Sequence, residues 1–313
     1  MWSAFFSIIV FPGFIFLSVS ALFVEFIDRK IYARLQNRVG PPWFQPFADF
    51  IKLVAKEDLA PGACNQRMFR MAPLFALATA ATAFLYIPLW RNSADFSFSG
   101  DILVVLYLLT IPTLAFFIGG WYSTSLYARI GSVRCLTQLF AYEIPLFMAI
   151  LSAALLADSW SLVQITAFYT GHKLLWLCNL PGFAVSLVAL LGKLEKTPFD
   201  IPEAETEVVA GAFTEYSGRL FAILRLTLNV EMVAGAALLA AVFLPFGLTL
   251  QAPIGFLVFI LKILFVIAIL SLCRTVVARL RIDQMISFCW RFLVPLAMLQ
   301  FLINLLLKGV LFI

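Results

Sequence analysis

Ile254-Gly-Phe-Leu-Val-Phe-Ile-Leu-Lys-Ile-Leu-Phe-Val-Ile-Ala-Ile-Leu-Ser-Leu-Cys273 carries one charge, Lys262, in twenty residues. An α-helix of that length rises about 30 Å, the thickness of a bilayer's hydrocarbon core. Scanning outward for comparable runs gives spans near 3–27, 72–90, 101–120, 138–157, 174–192, 229–246, 254–273 and 290–310, separated by short breaks such as Trp90 to Ser93 and Gly247 to Pro253. With 63% hydrophobic and 12% charged residues and a mean hydropathy of +1.01, the chain has too little polar surface to coat a soluble globule. The expectation is one all-α integral membrane domain, 1–313, with about eight transmembrane helices and long cytoplasmic loops at 28–71 and 193–228. The apolar stretch from Trp2 to Phe26, with no base before Arg29, reads as a retained first helix rather than a cleaved signal.

The charges set direction. If the first helix starts outside, the inward connections 28–71, 121–137, 193–228 and 274–291 hold 18 of the 22 Lys and Arg, and Arg91, Lys173 and Lys308 lie outward. The positive-inside rule then places both termini outside the cytoplasm. The net charge of +5 is a topology signal, because no basic stripe interleaved with aromatics invites nucleic acid. Cys64, Cys135, Cys178, Cys273 and Cys289 lack ligand spacing, so no metal site is expected. His172 lies in an outer Gly-His-Lys turn and reads as a surface residue. No nucleophile–base set, phosphate loop, nucleotide fingerprint or repeat of halves is present, which disfavours catalysis within this chain and a repeat-built transporter.

Chemistry concentrates in the two long inward loops. In the first, Phe47, Phe50, Ile51 and Val54 recur at helical spacing with Asp49, Lys52 and Lys56 on other faces, an amphipathic interfacial helix. The second, Lys193-Leu-Glu-Lys-Thr-Pro-Phe-Asp-Ile-Pro-Glu-Ala-Glu-Thr-Glu-Val-Val-Ala-Gly-Ala-Phe-Thr-Glu-Tyr-Ser-Gly218, gathers acid in an acid-poor chain. Asp200 or Ile201 caps an expected helix with Pro202 in its first turn. Were that helix to continue, Glu203, Glu207 and Glu215 would share a drifting stripe while Glu205 points elsewhere. Like charges at that spacing raise one another's pKa and suit proton exchange; a solvated acidic face docking a basic partner fits the spacing equally well. Within the spans, Glu143, Glu231 and Lys262 each cost up to about 2.5–3.5 kcal/mol at a helix centre and should face protein or water; Glu143 and Glu231 sit near span ends, where snorkelling is open to them, whereas mid-span Lys262 points to a functional role, and all three are candidates for the ion path.

Asp28-Arg-Lys, Ala33-Arg-Leu-Gln-Asn-Arg-Val-Gly-Pro, Ala48-Asp-Phe-Ile-Lys-Leu, Lys56-Glu, Gly120-Trp, Tyr142-Glu-Ile-Pro, Pro198-Phe-Asp-Ile-Pro-Glu-Ala-Glu, Val209-Ala-Gly, Glu215-Tyr-Ser-Gly and Ala278-Arg-Leu-Arg-Ile-Asp-Gln follow one another along the chain. In these motifs the sequence resembles the subunit 1 family of NADH–quinone oxidoreductase, respiratory complex I, and its relatives in membrane-bound, energy-converting nickel–iron hydrogenases and formate hydrogenlyase-type complexes. The resemblance implies an eight-helix subunit of the inner (cytoplasmic) membrane of a bacterium or archaeon. Its implied neighbours are an iron–sulfur small subunit and a hydrogenase-like large subunit of a peripheral arm, together with antiporter-like membrane subunits. Iron–sulfur clusters and a nickel–iron centre would then belong to partners, with no cofactor bound by this chain. By the same match Glu143, Asp200, Glu203, Glu205, Glu207 and Glu215 inherit a proton-path role. Arg34, Arg38 and Asp49 match the segment beneath the peripheral arm.

Two departures bear on the branch. Gly40-Pro-Pro-Trp-Phe-Gln runs on directly where complex I members carry a longer stretch, and Leu194-Glu-Lys-Thr stands where they have Asn-Arg-Ala. These, with Lys262, look more like the hydrogenase branch. The expectation is an ion-translocating anchor subunit that couples electron transfer in its partners to proton or sodium movement. The alternatives are the quinone-chamber subunit of complex I, a purely structural anchor and, remotely, a stand-alone secondary transporter.

Overall fold

The computed structural model describes residues 2–62, 64–89, 94, 96–172, 175–247 and 251–311, without the side chains of 2–4, 205, 206, 252, 310 and 311. Trp90 to Ser93 and Lys173 therefore lie outside the described residues.

The described regular structure is helical throughout: α1 (Trp2–Ile9), α2 (Phe14–Leu35), α3 (Gln45–Ala55), α4 (Gln66–Leu85), α5 (Asp101–Tyr122), α6 (Leu126–Leu156), α7 (Leu162–Gly171), α8 (Leu175–Cys178), α9 (Leu180–Lys193), α10 (Glu205–Val208), α11 (Gly218–Phe243), α12 (Ala252–Val276), α13 (Ile282–Phe288) and α14 (Val294–Leu311). A 3₁₀ turn, Gly211–Phe213, follows α10, and a π-helical turn, Cys289–Leu293, joins α13 to α14. Among the described residues seven helices are long and apolar enough to cross a membrane. The apolar α9 is shorter, at 14 residues.

α11 is the central post. Residues 230–245 are all buried, and small side chains there let neighbouring backbones approach, as packing between helices in lipid requires. A Cβ at Gly235 would lie 2.5 Å from Leu190 Cδ1 of α9. The lipid-ward helices carry their large apolar side chains outward instead, as Leu257, Leu261 and Phe265 of α12 do.

Several elements differ from the sequence expectation: the first span is broken between α1 and α2 and runs on to Leu35, α11 starts at Gly218 rather than near 229, and α7 occupies part of the connection after the fourth span. α6 begins at Leu126, so most of the connection 121–137 is helix that continues past the apolar run. The acidic helix neither starts nor continues as expected: its cap is Ala204, not Asp200 or Ile201, and Pro202 lies outside it. α10 spans four residues, after which Val209 and Gly211 take φ of +64° and +54°. At Gly211 a Cβ would lie 1.7 Å from the Pro202 carbonyl oxygen, so the chain folds back on itself there and only glycine fits. Glu203, Glu207 and Glu215 consequently share no helical stripe.

The acidic loop is held from several sides. Buried Gln138 of α6 donates through Nε2 to the carbonyls of Gly192 (2.7 Å) and Phe199 (2.8 Å). The backbone N–H of Leu280 donates to Pro198 O at 3.1 Å. The first loop is tied to α11 where Asp58 Oδ1 accepts from the Arg219 backbone N–H at 2.6 Å and Ser217 Oγ accepts from Leu59 N at 3.0 Å. Amphipathic α3 lies against the bundle through Phe47 and Phe50, leaving Ile51 65% exposed.

Candidate functional site

At one end of the bundle, α2, the acidic loop, α11 and the end of α12 line a cavity of 490 Å³. Its walls present five carboxylates, Glu25, Asp28, Glu195, Asp200 and Glu203. Four cations answer them: Arg29, Lys196, Arg225 and Arg274. Asp28 is the most enclosed anchor. Its Oδ2 lies 2.7 Å from both Lys196 Nζ and Arg274 Nη1, and its Oδ1 accepts from Ser271 Oγ at 2.6 Å. Arg274 also lies over the Tyr32 ring, 4.5 Å from its centroid. At the rim, Asp200 pairs with Arg279 at 3.0 Å and Glu203 with Arg225 at 3.4 Å.

Glu195 leads inward from this cavity. It is 7% exposed, its backbone has φ +50°, and its Oε1 accepts from the Cys135 thiol of α6 at 2.9 Å. Burial, reinforced by the charges of Glu203 and Glu231, pushes its carboxyl up to about 8. Burial lowers the pKa of neighbouring Lys196, with Asp28 working against that. Two residues back, Lys193 ends α9 and pairs with Glu231 of α11 at 2.7 Å, both side chains being almost fully enclosed. Its ammonium also donates to the Leu109 carbonyl of α5. Beyond this pair lies a cavity of 20 Å³, walled mostly by apolar side chains such as Leu109, Leu146 and Leu190, with Lys193, Tyr142 and half-buried Glu143 at its edge.

The structure thus brings Asp200, Glu203, Glu231 and Glu143 onto one inward-leading succession, completed by Glu195 and Lys193, which the sequence patterning does not single out. Glu207 stands outside it, exposed and paired with Arg134 at 2.5 Å; that hydrogen bond and charge hold its carboxyl below the usual range. Glu215 is half-buried, next to Tyr216, whose ring stacks on Phe69 at 4.1 Å. Glu205's side chain is outside the described residues. Lys262 faces neither cavity. Arg34 and Arg38 are exposed, and Arg29, not they, lines the cavity. Asp49 lines a neighbouring cavity of 400 Å³ between α2, α3 and α11, where it accepts from Arg29 at 3.0 Å. Arg29 in turn pairs with Glu25 one turn earlier. The two cavities share Glu25, Arg29, Arg225 and Asn229.

A helical membrane bundle with a charged vestibule at one end and buried carboxylates beyond it is the class this architecture defines. The NADH dehydrogenase family matches residues 7–305, and the chain belongs to that family. It is 36% identical to NADH-quinone oxidoreductase subunit 8 of Thermus thermophilus over 90% of this chain and 81% of that one. It is 33% identical to an NADH-quinone oxidoreductase subunit of Carboxydothermus hydrogenoformans over 92% of this chain and 85% of that one. Among solved structures it is similar to a chain of the membrane-bound sulfane sulfur reductase, an archaeal respiratory membrane complex. There the TM-score is 0.84 and the identity 25%, covering 93% of this chain and 96% of that one.

Proposed function

We propose that this chain is the anchor and ion-path subunit of a complex I-like respiratory complex, in which electron transfer in peripheral subunits drives proton movement along its buried carboxylates. Family membership supports a membrane subunit of such a complex. The observation that carries the ion-path role is the succession from the charged vestibule through Glu195 to the Lys193–Glu231 pair and on to the cavity at Glu143. Ionisable residues buried in a membrane bundle are costly, and where they occur they are paired and mark ion pathways. Glu195, with a pKa of about 8, exchanges a proton near neutral pH, which favours the proton over sodium. Glu207, Glu215 and Glu205 belong to the outer approach.

The electron-carrying partners are an iron–sulfur small subunit and a hydrogenase-like large subunit, with antiporter-like subunits beside this one in the membrane. Two observations favour a shorter branch of the family over quinone reduction. The chain covers 96% of the archaeal structure's chain but 81–85% of the quinone oxidoreductase subunits. Five carboxylates and four cations line the vestibule, whereas small-molecule sites are mostly apolar with few polar groups. Quinone is the second reading, favoured by the 33–36% identity to those subunits. The test is purification of the tagged complex from native membranes in mild detergent, with assays for hydrogen evolution and quinone reduction. Hydrogen evolution without quinone reduction supports the first reading; inhibitor-sensitive quinone reduction favours the second, and recovery of the chain alone overturns both.

A further inference from the structure

Lys262 sits in the middle of α12, ten residues from its start and fourteen from its end, roughly 15 Å and 21 Å of helix. A lysine stem reaches roughly 6 Å and cannot bring its ammonium to either interface. Its neighbours one turn away are Val258, Phe259, Phe265 and Val266, all apolar. Among the described residues no carboxylate pairs with it and no charged group acts on it. It stands at the edge between a buried seam, with Phe259 5% and Val266 0% exposed, and an outward stripe of Ile254, Leu257, Leu261, Phe265 and Leu272, each more than half exposed. An intramembrane cation in such a place is found facing an opposite charge or water rather than lipid.

We infer that the Lys262 edge of α12 is a docking surface for a transmembrane helix of another subunit that presents an aspartate or glutamate at mid-span. Charge complementarity selects this occupant. A second copy of the chain meeting the same face across a two-fold axis would set Lys262 against Lys262, and a lipid headgroup lies beyond the stem's reach. The inference rests on the chain belonging to a multi-subunit complex. It adds a contact that none of the relatives' names describes and removes Lys262 from the carboxylate succession.

The test places a photoreactive benzophenone amino acid at Leu261, which is 55% exposed beside Lys262, in the tagged complex within native membranes. The expected product is a crosslink to one membrane subunit, within about a turn of an acid in that subunit's span. K262E should lower its yield at least tenfold, and changing the crosslinked acid to lysine should restore it. Crosslinks to lipid alone, to a helix without an acid, or at undiminished yield in K262E would overturn the docking surface while the purified complex keeps its subunits. Loss of all partners from the wild-type preparation would instead sink the complex itself. The crosslink in the Lys262 background is read independently of whether K262E folds.

Discussion

Lys193 and Glu231 lie 2.7 Å apart with side chains 2% and 0% exposed, the one closing α9 and the other inside the central helix α11. The pair sets two buried ionisable side chains against each other. Removing one partner of a buried ion pair strands the other, at a cost of about 3–5 kcal/mol, whereas replacing both with apolar groups is often neutral. E231Q and K193M should each lower the thermal midpoint of the purified complex. K193M/E231L should recover most of that stability and still fail to move ions.

Glu195 gives the pH dependence its sign. Its ordinary pKa of 4.5 is raised to about 8 in the fold, so the folded state favours the protonated form. That stabilisation is fully present below the ordinary value and is lost as pH rises through about 8. Thermal midpoints of the wild-type complex should fall across this window, and those of E195Q should stay nearly level. Coupled ion movement should drop at least tenfold in E195Q, with partial rescue in E195D.

Depth should grade the carboxylates. Glu207 is half exposed and paired at the surface with Arg134, where such pairs contribute about 0–1 kcal/mol. E207Q should shift the midpoint negligibly and slow ion movement less than twofold, measured beside E195Q in the same membranes. Its depressed pKa adds only a small stabilisation, which is lost as pH falls below the ordinary glutamate value.

Close backbone packing helps to position the acidic loop. A Cβ at Gly131 of α6 would lie 2.4 Å from Gly211 Cα, and no rotamer relieves a clash with backbone. G131A should therefore cost about 1–3 kcal/mol and displace the loop. The check is faster protease cleavage between 200 and 215, with the peripheral arm more easily washed off.

Hydropathy makes the membrane bundle legible because a twenty-residue apolar run such as 254–273 has few other uses. Composition also locates the acidic loop. It does not show that α10 ends after four residues, since the reversal at Gly211 depends on a carbonyl of Pro202 contributed by the folded loop. Lys193 and Glu195 escape notice because a base ending an apolar run reads as a topology signal, and Glu195 reads as a departure from the family pattern. A visible clue is that both fall at the end of a span in an acid-poor chain. Arg29 is likewise obscured by Arg34 and Arg38, although its four-residue spacing from Glu25 marks an ion pair on one helix face.

In the proposed path, protons cross from the vestibule to the membrane interior through Glu195 and the Lys193–Glu231 pair. The direct measurement is proton uptake into liposomes holding the purified complex, read by a pH-sensitive dye while electron transfer to an artificial acceptor is followed in the same sample. E195Q should retain electron transfer and lose proton uptake at least tenfold. Undiminished uptake per electron in E195Q would contradict that path.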